Sequence, residues 1–147
     1  MSQSLIPSPA CFIIQTALQN LTLAGGVTGW GLSHSKMPDT PDKYVTVYDT
    51  SPIIGFRLKQ LSFYQTRWFG IMAMVRSTID YDLGWLKIET MRDTMAGVIN
   101  QVFTVNAIDY NIKNMKLSSG PVWIGPEMNE RKREQFTINW LVKLKRE

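Results

Sequence analysis

Residues 67–77, RWFGIMAMVRS, carry apolar side chains on both alternating faces. A strand with one wet face would alternate apolar and polar residues, so this stretch reads as a central strand covered on each side. Just beyond it, Thr78 or Asp80 can cap a helix, and the stripe Tyr81, Trp85, Ile88, Met91, Met95, Val98 and Ile99 keeps steps of three and four. A covered strand followed at once by an amphipathic helix is the junction on which an α+β reading rests.

Downstream, Ala107 to Ser118 reads as a strand whose apolar phase slips between Ile112 and Met115, the mark of a bulge or bend. Gly120 to Asn129 reads as a loop. Phe136, Ile138, Trp140, Val142 and Leu144 then form a period-two face opposite Gln135, Thr137, Asn139 and Lys143. Upstream, Ser8 and Pro9 have the pattern of an N-cap and first helical residue, and Ala10, Ile14, Ala17, Leu18 and Leu21 recur at helical spacing until Gly25 and Gly26. Residues 25–43 are dense in Gly, Pro, Ser and Asp, with room for a brief extended piece around Trp30 to Ser33. In residues 44–50, YVTVYDT, Val45 and Val47 alternate with Tyr44, Thr46 and Tyr48, a strand pattern entered through the turn-forming PDTPDK of residues 38–43. Residues 51–63 form a second long connection. The expected order is helix, strand, strand, helix, strand, strand. It predicts a single α+β domain over residues 1–147: a four-stranded, mainly antiparallel sheet with both helices packed on one face.

The 147 residues include 16 Lys and Arg against 12 Asp and Glu, a formal charge of +4 that permits an anionic partner without requiring one. From Ser2 to Ser35 there is no Asp, Glu, Lys or Arg, whereas residues 131–147 hold six basic side chains (Arg131, Lys132, Arg133, Lys143, Lys145, Arg146) against Glu134 and Glu147. One cysteine, Cys11, excludes an internal disulfide and suits a reducing compartment. A signal peptide is not expected, because the N-terminus lacks a basic region and Pro7 and Pro9 interrupt it before the short apolar run Ala10 to Ile14. A membrane span is not expected either, because no apolar run approaches about 18 residues.

Catalytic motifs are scarce. His34 is the only histidine, with no nucleophile motif around it or Cys11, so both are expected in structural roles. Too few His and Cys are present for a usual zinc site. Asp39 and Asp42 each follow a proline in a loop, and no acidic-x-Lys pattern follows in a strand, so turn formation explains them better than metal-assisted hydrolysis. The glycines of residues 25–31 follow a helix instead of joining a strand to one, and lack the context of a phosphate cradle. No cofactor is expected. What the chain has in surplus is large apolar groups: five Trp, five Tyr, six Phe and eight Met. Trp30, Phe56, Phe63, Tyr64 and Trp123 fall outside the expected elements, where aromatics suit protein interfaces. Asp39, Asp42, Arg57, Arg131 and Arg133 are the candidate charged contacts beside them.

Taken in order, a charge-free first helix, MPDTPDKYVTVYDT at 37–50, a strand closing on Met74-Val75-Arg76, a helix opening near Asp80-Tyr81 and a last strand with Arg133-Glu134-Gln135-Phe136-Thr137-Ile138-Asn139 resemble the tail terminator (minor capsid) proteins of long-tailed bacteriophages. The similarity runs over residues 8–145. It implies a structural virion protein of the neck with no enzymatic reaction: a ring, typically a homohexamer, that caps the tail tube, meets the head connector, and lets DNA pass through its lumen without sequence-specific contact. The segment 51–64 then serves as a hairpin or an arm toward a neighbouring subunit. Two other readings use the same residues, a head-completion or adaptor protein of the neck and a small nucleic-acid-binding α+β domain. A small hydrolase would need Asp39, Asp42 and Asp49 as its carboxylates.

Overall fold

The computed structural model describes residues 6–21, 30–50 and 66–147. Among them the chain forms α1 (Ala10–Asn20), β1 (Gly31–His34), β2 (Tyr44–Thr50), β3 (Thr66–Arg76), α2 (Tyr81–Ala96), β4 (Gln101–Val105), β5 (Ile108–Pro126) and β6 (Glu134–Arg146). All of these strands join one sheet, ordered β1-β2-β3-β6-β5-β4. β1 runs parallel to β2, and the other neighbouring pairs are antiparallel.

The expected four-stranded sheet with two helices on one face is therefore wrong. The sheet has six strands, is mixed, and curls into a half-barrel. Its curl follows from α1, which touches β1 and β2 near one edge and β4 at the other. Five strand spacings span about 24 Å in a flat sheet, whereas a helix with its side chains is about 10 Å across. Only a rolled sheet brings both edges to the same short helix.

The additional strands have local causes. β4 is tied to β5 through Asn106 and Ala107, both at positive φ (51° and 65°), the geometry of a tight hairpin turn. Alanine in the second of those positions gives no turn signal. The extended piece near Trp30 becomes β1, paired from Gly31↔Tyr44 to His34↔Val47. The loop expected over Gly120 to Asn129 is instead strand as far as Pro126. Four register shifts interrupt the pairing of β5 with β6, two of them between Ser119 and Gly125, and Gly120 and Gly125 lie at positive φ. The Gly and Pro residues there mark bulges in a long hairpin.

The central strand behaves as its composition requires. Register sets Val45 beside Val75 and Val75 beside Phe136, then Val47 beside Ala73 and Ala73 beside Ile138. All six are buried on the concave face, in one core with Ile14 and Leu18 of α1 and Ile88, Met91 and Met95 of α2. Helix α2 is capped by Asp80, whose carboxylate accepts the Asp82 N–H at 3.0 Å. Helix α1 starts one residue later than expected, with Pro9 flanking it and no cap from a local side chain. No helix among the described residues is long and apolar enough to cross a membrane.

Candidate interface

The PDTPDK loop is held by three arginines from distant parts of the chain. Arg76 ends β3, Arg131 lies in the turn between β5 and β6, and Arg133 directly precedes β6. Arg133 is 2% exposed and is the most voluminous fully buried side chain among the described residues. Its Nε donates to Glu127 Oε1 at 2.8 Å, one terminal nitrogen to Asp42 Oδ1 at 3.0 Å and the Asp39 carbonyl at 2.6 Å, and the other to Asp39 Oδ1 at 3.0 Å. Arg76, 3% exposed, donates to the backbone carbonyls of Asp39, Pro41 and Asp42 at 3.2, 2.6 and 3.0 Å. Arg131 reaches Asp42 Oδ1 at 3.1 Å and Asp39 Oδ2 at 3.5 Å from the solvent side.

A buried guanidinium is tolerated when its donors are satisfied, and here the fork geometry of arginine clamps a loop that has no strand pairing of its own. Hydrogen bonding from Arg133, reinforced by the charge of Arg131, holds the Asp39 carboxyl below its ordinary value. Burial lowers the Arg76 guanidinium, with nearby Arg133 acting in the same direction and Glu127 opposing. Asp39 and Asp42 are thus occupied by arginines. Among the described residues no group of three or more His, Cys, Asp or Glu side chains is placed to hold a metal ion. An open hollow of about 720 Å³ lies over the clamp, lined by Pro41, Asp42, Ile79, Arg131 and their neighbours.

Next to Ile79 along the chain, the start of α2 meets the far half of β5. Tyr81 stacks along Trp85 at 6.4 Å between centroids and meets Trp123 edge-on at 5.7 Å. Tyr81 and Trp85 both rest on buried Phe136, at 5.1 and 6.1 Å. The indole N–H of Trp123 donates to Glu134 Oε2 at 3.0 Å, fixing the ring over the β5–β6 hairpin. These rings are nevertheless exposed by 41% (Tyr81), 36% (Trp85) and 46% (Trp123), and Ile79, Leu86 and Ile124 are exposed near them in sequence. Backed by a rigid core and open to solvent, they have the character of interface anchors.

Of the residues singled out from sequence, Asp39, Asp42, Arg131 and Arg133 converge in the clamp and Trp123 joins the aromatic surface. Trp30 belongs to the core at 9% exposure, with the ammonium groups of Lys87 and Lys43 at 4.9 and 5.8 Å from its ring centroid. Phe56, Arg57, Phe63, Tyr64 and the segment 51–64 lie outside the described residues. Sequence reasoning missed Glu127 and Arg76 as clamp members and assigned Tyr81 and Trp85 to the buried stripe of α2. No signal in the sequence separates these two rings from the buried residues of the same stripe, Ile88, Met91 and Met95.

No family model matches the chain, and no curated relative is found. One similar solved chain, whose name states no activity, is 12% identical over 95% of this chain and 96% of its own, with a TM-score of 0.48.

Proposed function

We propose that this chain is a structural subunit that assembles with copies of itself into a ring, ends a phage tail tube, and joins it to the head connector. The observation that carries this reading is the exposed group of Tyr81, Trp85 and Trp123 on its buried Phe136 base. Preordered aromatic rings lose little conformational freedom when a partner covers them, and such groups concentrate binding energy in protein interfaces. In a closed ring each subunit offers one surface to the next, so a patch of this kind has a different surface as its complement. The resemblance of the ordered motifs to tail terminators implies the ring, the typically homohexameric count, the virion location, and the tube and connector as further partners.

Size-exclusion chromatography with light scattering, with and without tail tube protein, tests the reading. A multimer of ring mass, seen as rings by negative-stain microscopy and reduced to monomer in Trp123→Ala, is the expected result. A wild-type protein that stays monomeric in both conditions overturns it.

A further inference from the structure

The convex face of the sheet carries lysines that the clamp and the aromatic patch do not use. On β6, Val142 and Leu144 are fully buried in the concave core, so Lys143 and Lys145 point the opposite way. On β5, Met115 is buried, and Lys116 next to it shares the convex face. Pairing of Asn114 with Lys143 and of Lys116 with Leu141 makes Lys116 and Lys143 diagonal neighbours, and Lys145 follows two residues along beside Asn111. Such diagonal neighbours stand about 7–8 Å apart.

These lysines lack carboxylate partners. All 12 Asp and Glu residues of the chain lie among the described residues, and none of them forms an ion pair with Lys116, Lys143 or Lys145. On the same face by register, Asp109 accepts a hydrogen bond from the Thr104 hydroxyl. The ammonium of Lys143 lies 6.0 Å from the Trp68 ring centroid, and neighbouring Asn139 donates to Ser119 at 3.1 Å. The chain therefore uses arginines to pair its clamp carboxylates at one end of the sheet and leaves lysines unneutralised on the convex face.

We infer that this face binds the phosphate backbone of duplex DNA without reading its bases. Lysines two apart on a strand are separated by about 6.6 Å, about twice the axial charge spacing of 3.4 Å on one DNA strand. Flexible ammonium groups suit phosphates at such spacing, whereas a convex sheet face sends no helix into a groove to read base edges. The assignment rests on the ring reading and adds to it that this face borders the hole through which DNA passes.

Fluorescence anisotropy of a labelled duplex of arbitrary sequence, titrated with wild-type protein at several salt concentrations, provides the test. Three neutralised phosphates give a slope of about −2.7 in log affinity against log salt, or about forty-fold in affinity between about 50 and about 200 mM. Lys116→Gln/Lys143→Gln/Lys145→Gln is expected to remove that much slope per bound subunit, with its assembled mass unchanged. Each single Gln variant removes about 0.9, so the result survives a folding defect in the triple variant. Absent DNA binding by wild-type protein, an unchanged slope in the variants, or equal loss in the clamp-side control Lys132→Gln overturns the inference. So does loss of binding to anionic lipid vesicles with duplex binding intact. A wild-type monomer whose salt slope still depends on the three lysines upholds the phosphate face and overturns the ring.

Discussion

Cys11 and Asp49, 38 residues apart, are joined twice: the Cys11 backbone N–H donates to Asp49 Oδ1 at 2.9 Å and its thiol donates to Oδ2 at 3.3 Å. The carboxylate at the end of β2 thus caps α1 from across the fold, where proline takes the flanking position and no local side chain serves. Losing such a cap costs about 1 kcal/mol, and about 3 °C in melting temperature for a chain of this size. Asp49→Ala is expected to lower the midpoint by that amount in a thermal melt.

The same contact protects the thiol. Burial pushes Cys11 above its ordinary value of 9.0, the Ser35 hydroxyl opposes this, and the charge of Asp49 pushes it further up. The folded protein is expected to resist alkylation near neutral pH, where the reactive thiolate is scarce. Asp49→Ala should label faster with iodoacetamide while still folded, and an equal rate in both proteins would show that the carboxylate plays no part.

Arg133 is the clamp member with the most to lose. Removing one partner of a buried ion pair costs about 3–5 kcal/mol when the other charge stays buried. Asp39 and Asp42 are 72% and 47% exposed and rehydrate, but Glu127 is only 17% exposed. The lower end of that range therefore applies, and Arg133→Ala is expected to melt roughly 10 °C lower. Arg133→Lys should recover only part of the loss, because an ammonium cannot reproduce the planar fork that reaches Asp39, Asp42 and Glu127 together.

The clamp also gives an acid limb. Asp39 has a folded-state carboxyl value below its ordinary 3.8. A carboxyl lowered on folding contributes stability that is full above the unfolded value and lost as pH falls through the folded one. Melting temperature measured from neutral pH downward should hold and then drop below about pH 4. Asp39→Asn is expected to melt lower at neutral pH and to show a shallower acid drop, and parallel curves for the two proteins would remove Asp39 from the clamp's energetics.

How much of this the amino-acid order discloses depends on the range of the interaction. Strands β2, β3 and β6 and both helices are legible because their periodicity is local and unbroken. β4 is hidden behind the Asn106–Ala107 turn, and the far half of β5 is disguised by glycines that normally punctuate loops but here make bulges. The curl is a product of α1 reaching both sheet edges, which no window of sequence contains. The clamp is half legible: proline and aspartate announce a turn at residues 38–43, but the guanidiniums that fix it come from 34 to 94 residues away. The aromatic surface is legible in composition and illegible in place, since Tyr81 and Trp85 share a stripe with residues that are buried.

Gly84 sets the height of that aromatic surface. It sits inside α2, where replacing glycine by alanine ordinarily favours the helix by about 1 kcal/mol. A Cβ at this position would stand 2.3 Å from Phe136 Cε1 and 2.7 Å from Ser77 Oγ. Phe136 is fully buried beneath Tyr81 and Trp85, so the ring cannot move without lifting both. Overpacking of this kind costs about 1–3 kcal/mol, enough to cancel or exceed the helix gain. Gly84→Ala is expected to be neutral to destabilising by up to about 2 kcal/mol and to change near-UV circular dichroism from the displaced rings. A variant that melts about 3 °C higher with an unchanged aromatic signal would mean that α2 is free to move off the sheet and that the rings lack a rigid base.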